Sequence, residues 1–159
     1  MKRLLVGLGI LILLGLLGVG IWWTTLGGGL QQGPTVPVVL SGAKNVGSLQ
    51  MELAYDPAVL EATEVKAGEL AKNAMVEYNL AAPGRLVVGV IDSSGMNGTG
   101  PVVTISFKVL DKGGTSPITL ETIQANDATT LIDIPVKASA GSYAARDGSF
   151  TAPVIGLSP

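Results

Sequence analysis

Ser48-Leu49-Gln50-Met51-Glu52-Leu53-Ala54-Tyr55 decides the fold class. Leu49, Met51, Leu53 and Tyr55 alternate with Ser48, Gln50, Glu52 and Ala54, the period of two that a strand with one buried face requires. The same period continues on either side. Upstream, Val36, Val38 and Leu40 alternate; downstream, Val76, Tyr78 and Leu80 form an inward set that leaves Glu77 and Asn79 outward. Arg85 to Ile91 (RLVVGVI) is almost wholly apolar, as a central strand is. Val103, Ile105, Phe107 and Val109 alternate against Val102, Thr104, Ser106 and Lys108, Ile118 and Leu120 open another run, and Gly148 to Thr151 form a last strand. Turn signals separate these runs: Ser41-Gly42, Asp56-Pro57, Pro83-Gly84, Ser94-Gly95, Asn97-Gly98, Lys112-Gly113-Gly114 and Asp147-Gly148. Pro57 to Leu60 suit a single turn. No segment after Thr35 carries a helical stripe longer than about two turns. Many short strands at this spacing make an all-β sandwich or barrel.

Composition narrows the chemistry. The 159 residues include no cysteine and no histidine. Disulfides, thiol nucleophiles and cysteine metal sites are thereby excluded, as are the commonest general base and the commonest transition-metal ligand. Without a nucleophile–base pair the expectation is a protein that is not an enzyme. There are 10 Lys and Arg against 12 Asp and Glu, and two of the cations, Lys2 and Arg3, precede everything else. The remainder is mildly acidic and offers no electrostatic footprint for nucleic acid.

Leu4 to Trp23 contains no polar or charged side chain. Twenty residues at about 1.5 Å rise span roughly the 30 Å hydrocarbon core as one transmembrane helix. Lys2 and Arg3 stand before it, the next charge is Lys44, and Trp22-Trp23 fall where an interfacial aromatic belt belongs. The positive-inside rule then puts the N-terminus in the cytoplasm and all that follows outside, as a single-pass cell-membrane protein. A cleaved signal peptide is the alternative, which would make the protein secreted; its apolar core is usually about 7–15 residues with small residues at the cut, whereas this run is longer and ends in Trp-Trp. Leu26 to Thr35 (LGGGLQQGPT) is Gly-rich and uncharged, which suits a flexible tether.

The stretch Val46-Gly47-Ser48-Leu49-Gln50-Met51-Glu52-Leu53-Ala54-Tyr55-Asp56-Pro57-Ala58-Val59-Leu60 resembles the opening of cohesin domains, where a strand runs into a Tyr-Asp-Pro-x-x-Leu turn. Glu64 to Leu70 resembles the next element, a strand ending in a Gly-x-Leu step. Gly100 to Val109 is similar to the later glycine-led strand, and Ala125-Asn126-Asp127 and Asp147-Gly148-Ser149-Phe150-Thr151 are similar to the two closing landmarks. The resemblance implies a nine-stranded jelly-roll β-sandwich that binds dockerin modules of other secreted proteins without catalysis. It also implies that calcium belongs to the dockerin, so that the chain itself needs no metal or cofactor. The expected organisation is residues 1–25 as membrane anchor or signal peptide, 26–35 as linker, 36–152 as cohesin-like sandwich and 153–159 as a short tail without a role.

Docking in the family uses one flat sheet face. With Leu49, Met51 and Leu53 inward, Ser48, Gln50 and Glu52 lie outward; Ser48 and Gln50 fall where some cohesins carry Asn and Asp. With Leu86, Val88 and Val90 inward, Val87, Gly89 and Ile91 form an exposed apolar stripe of the kind that binds proteins. Glu77 and Asn79 flank it, and Asp92 and Gly95, in the loop at its end, are the nearest matches to an acidic residue and a glycine that family members use. The bland alternatives are that Val87 and Ile91 are buried, and that Ser48, Gln50 and Glu52 are an ordinary solvated face.

Other readings carry less. Asp92-Ser93-Ser94-Gly95 lacks the ligand series of an EF-hand. Asn97-Gly98-Thr99 is a glycosylation sequon that an Asn-Gly turn also explains. Glu61, Glu64 and Glu69 read as a solvated edge. A carbohydrate-binding or adhesin-like sandwich is an alternative function, but it needs an exposed aromatic platform; beyond the leader the rings are Tyr55, Tyr78, Tyr143, Phe107 and Phe150, with Tyr55 and Phe107 in core phase. A structural subunit of a cell-envelope assembly is the other alternative, since architecture does not fix function.

Overall fold

A computed structural model of the chain describes residues 33–158. The expected anchor or signal peptide, and residues 26–32 of the expected linker, lie outside the described residues. Among the described residues no helix is long and apolar enough to cross a membrane. The strands are β1 (Thr35–Tyr55), β2 (Leu60–Ala67), β3 (Met75–Ala82), β4 (Arg85–Val109), β5 (Thr115–Asp127), β6 (Val136–Ser139), β7 (Gly141–Ala144), β8 (Phe150–Thr151) and β9 (Val154–Leu157), with a 3-10 turn at Glu69–Ala71. The all-β expectation holds.

Two pairs of expected strands are fused. Val36–Leu40 and Ser48–Tyr55 are halves of β1, and Arg85–Ile91 and Val102–Val109 are halves of β4. The two long strands pair antiparallel from Thr35 opposite Ser106 to Ala54 opposite Arg85. Between the halves the register slips repeatedly, at Leu40/Ala43, Ala43/Val46 and Val46/Ser48. These are bulges, which bend a strand without ending it. The local residues make the bend affordable: Gly42, Asn45, Gly95 and Gly98 take positive φ of 71°, 53°, 80° and 107°, where glycine and asparagine are at home. Thr99 Oγ1 accepts from Gly42 N at 3.0 Å and Asn97 Oδ1 from Asn45 N at 2.9 Å. The side chains of the Asn97-Gly98-Thr99 sequon therefore pin the corner.

The two halves of each long strand carry different neighbours. β2 pairs with Val103–Val109 and β9 runs parallel to β1 at Val39–Ser41, whereas β3 pairs with the Arg85–Ile91 half and β5 with the Val46–Tyr55 half. One layer is thus β2-β4-β1-β9-β6 and the other β3-β4-β1-β5-β7-β8. Between them lies one core. Leu49, Met51, Leu53, Leu86, Val88 and Val90 enter from one side and Val36, Val38, Leu40, Val103, Ile105 and Phe107 from the other, each at most 2% exposed. Full burial of such a side chain contributes about 1.5–3 kcal/mol. Tyr55 meets Phe107 edge-on, with ring centroids 5.3 Å apart. The Asp56-Pro57 turn is closed by Asp56 O, which accepts from Leu60 N at 2.9 Å, while Asp56 Oδ1 accepts from Ala58 N.

Two expectations need correction. The stretch after Ala152 is a strand: β9 pairs with both β1 and β6, Pro153 O accepts from Val39 N at 3.0 Å, and Ile155 is fully buried. Its brevity and flanking prolines hid it, since a parallel partner remote in sequence leaves no local signal. Tyr78 shares register with the inward Val88, yet it is 42% exposed. Among the described strands β3 pairs with β4 alone, and an edge strand overhangs the core it faces.

Candidate protein-binding face

The outer side of the second layer is a grid set by register. Residues directly opposite in a ladder point to the same side. The rows run across β3, β4, β1 and β5: Met75–Ile91–Ser48–Asn126, Glu77–Gly89–Gln50–Gln124 and Asn79–Val87–Glu52–Thr122. At strand spacing this is about 14 Å across and about 13 Å along. Eight of the ten expected site residues, Ser48, Gln50, Glu52, Glu77, Asn79, Val87, Gly89 and Ile91, are brought together here.

The exposure of Val87 and Ile91 settles how they are turned: they are 38% and 59% exposed, and Met75 beside Ile91 is 64% exposed. The apolar area is thus concentrated in the row that ends at the bend. The opposite end is ionic: Arg85 Nη1 donates to Glu52 Oε1 at 2.5 Å and to Glu121 Oε2 at 2.7 Å. Exposed ion pairs of this kind contribute little to stability, but they fix how the rim presents its charges. Gly89, without a side chain, leaves a shallow hollow on each side of itself.

Asp92 and Gly95 lie off this grid, at the bend just beyond Ile91. Asp92 is 8% exposed, on the inward phase one residue past Ile91, and its Oδ1 accepts from Ser94 N at 2.9 Å and Ser94 Oγ at 2.5 Å. It shapes the strand on its way into the bend. Gly95 sits in the bulge against Asn45; its positive φ and the closeness of Asn45 exclude a side chain.

The grid also contains residues that the sequence reading missed. Met75 opens β3 before the recognised alternation begins. Thr122, Gln124 and Asn126 come from β5, whose phase flips where Glu52–Thr122 gives way to Leu53–Leu120. Because of this slip Ile118 and Leu120 lie on one parity and Ile123 and Ala125 on the other, which masks the continuous run. The polar-apolar alternation Thr122-Ile123-Gln124-Ala125-Asn126 was the available signal.

β5 ends in a braced loop. Asp127 Oδ1 accepts from Thr129 N and Thr130 N, both at 2.8 Å, and Oδ2 accepts from Asn45 Nδ2 at 3.0 Å. The Thr130 and Thr129 amides, with help from Asn45, pull the carboxyl down to about 2. Asn126 Nδ2 donates to Asp133 Oδ1 at 2.6 Å, and the exposed Leu131 and Ile132 lie between.

Against this geometry, the model of the cohesin domain family matches residues 33–144. The chain belongs to the cohesin family. Cellulose-binding protein A of Clostridium cellulovorans is 25% identical over 114 residues, which are 67% of this chain but 6% of that protein, so the chain spans only a small part of that relative. Among solved structures, this cohesin is similar to a non-cellulosomal cohesin from the archaeon Archaeoglobus fulgidus, with 26% identity, TM-score 0.54 and coverage of 79% and 81% of the two chains. It shares its fold with the sixth cohesin of Acetivibrio cellulolyticus scaffoldin B, determined in complex with a Cel5 dockerin, at TM-score 0.55, 20% identity and coverage of 79% and 88%. A Clostridium thermocellum OlpC cohesin, in complex with Doc435, gives TM-score 0.55 at 14% identity, over 77% and 95%.

Proposed function

We propose that this cohesin captures a dockerin-bearing protein on the β3-β4-β1-β5 face, as a non-catalytic module held outside the cell by an N-terminal membrane anchor. One observation carries the capture: an exposed apolar row, Met75 and Ile91 at 64% and 59%, continuous with a flat polar grid. Apolar centres with polar rims are the anatomy of protein interfaces. The anchoring rests on Leu4 to Trp23 and the preceding Lys2 and Arg3. Calcium belongs to the dockerin in this scheme. The carbohydrate alternative finds less support, because the exposed rings Tyr78 and Phe150 sit on β3 and β8, with β4, β1, β5 and β7 between them in sheet order. Such rings do not make one platform.

The experiment is a calorimetric titration with calcium-loaded dockerin modules, repeated in chelator. Binding that vanishes in chelator is expected, and Ile91→Asp should weaken it at least a hundredfold while leaving the thermal midpoint within a few degrees, since Ile91 is outside the core. Wild-type protein that ignores every dockerin from its own genome overturns the capture.

A further inference from the structure

Gly89 stands at the centre of the grid, between Glu77 of β3 and Gln50 of β1. Glycine in the middle of a strand weakens it, because it has no side chain to pack and more backbone freedom to lose. Nothing among the described residues asks for it here. Gly89 is not among the glycines of positive φ, and among the described residues a Cβ at this position would meet no atom within 4 Å. By folding criteria alone a β-branched residue would serve better.

What glycine does is keep space open. Two adjoining hollows, about 280 and about 210 Å³, share Gly89 and Gln50 as their common wall. The larger is rimmed by Glu77, Tyr78, Asn79 and Val87. Glu77 differs from the other carboxylates around the grid. Glu52 and Glu121 are paired with Arg85, and Asp133 accepts from Asn126 and Gln124. Glu77 is exposed and, among the described residues, has no counter-ion. An unneutralised carboxylate beside a missing side chain is complementary to a long side chain with an apolar stem and a cationic head.

We infer that the hollow at Gly89 is a subsite for one basic side chain, lysine or arginine, of the docked partner. The stem lies over Gly89 and Val87, the cation meets Glu77, and the Gln50 amide oxygen takes a further donor. A partner with an acidic residue at that point is repelled, so the subsite selects among dockerins as well as binding them. This inference rests on the capture reading above.

The test titrates the full chain with a panel of calcium-loaded dockerins, a Cel5 dockerin among them, and follows thermal unfolding of the free protein. Gly89→Val should raise the thermal midpoint and weaken binding at least tenfold, opposite effects that a purely structural glycine cannot give. Glu77→Gln should weaken binding about fivefold and flatten its salt dependence, and a scan of the dockerin's lysines and arginines should find one whose loss has no further effect in Glu77→Gln. If both variants bind as wild type does while Ile91→Asp still loses affinity, the subsite falls and the capture stands. If wild type binds no dockerin, both fall. A lowered midpoint in Gly89→Val assigns the glycine to folding and overturns the subsite.

Discussion

At Asp127 one carboxylate gathers two loop amides, a threonine hydroxyl and the Asn45 side chain. In the unfolded chain the group titrates at its ordinary value, 3.8, and in the folded protein at about 2. The unfolded state therefore takes up the proton first. The stability that this carboxylate contributes is complete above about pH 4 and is lost as the pH falls from there towards 2. Thermal unfolding between pH 5 and pH 2 should show wild type losing more of its midpoint than Asp127→Asn, and the two curves should converge at the acid end. Single positions also show what a sequence reveals. Outward phase on β1 was legible, because Leu49, Met51 and Leu53 occupy every second place without interruption. The burial of Asp92 was hidden for a physical reason: alternation puts it inward, and a charged residue next to a turn signal reads as exposed until the serine that satisfies it is seen. Tyr78 fails the other way, in phase with the core but standing at its margin.

Among the elements, β9 is the one whose importance was least visible beforehand. It holds β1 from one side and β6 from the other and seals the core with Ile155. Truncation after Ala152 removes that side chain, worth about 1.5–3 kcal/mol when fully buried, together with ladder hydrogen bonds worth about 0.5–1.5 kcal/mol each. A loss of about 3–5 kcal/mol in urea unfolding is expected. Dockerin affinity below the unfolding transition should stay within twofold, because β9 pairs with the half of β1 that does not carry the grid. The long strands teach a related lesson. A glycine at positive φ serves a hairpin turn and a bulge equally well, so Ser41-Gly42, Ser94-Gly95 and Asn97-Gly98 were recognisable as breaks. Whether the chain reverses or only bends depends on the partner strand, and no local pattern encodes that.

For the whole molecule, the two-layer sandwich was readable because hydrophobic period and turn spacing report it directly, whereas the sharing of β1 and β4 between layers was not. That sharing fixes where things are attached. The described chain begins at Gly33, packed against the Phe107 carbonyl, and Phe107 is in contact with Tyr55. Ser48, in the apolar row, is seven residues back along the same strand, or about 23 Å at the usual rise. A bulky soluble domain fused upstream of Gly33 should therefore leave dockerin affinity within twofold. The same insert between Thr129 and Thr130, next to Asn126 and the row, should abolish binding while the domain still folds, as circular dichroism and thermal unfolding would report.

Gly33 at the Phe107 end and Ile91 at the bend stand at opposite poles of the described domain. A guest bound at Ile91, as proposed above, would ride a full strand length, about 23 Å, from Gly33. In the capture scheme proposed above, the body of the domain is then itself a spacer between the guest and Gly33.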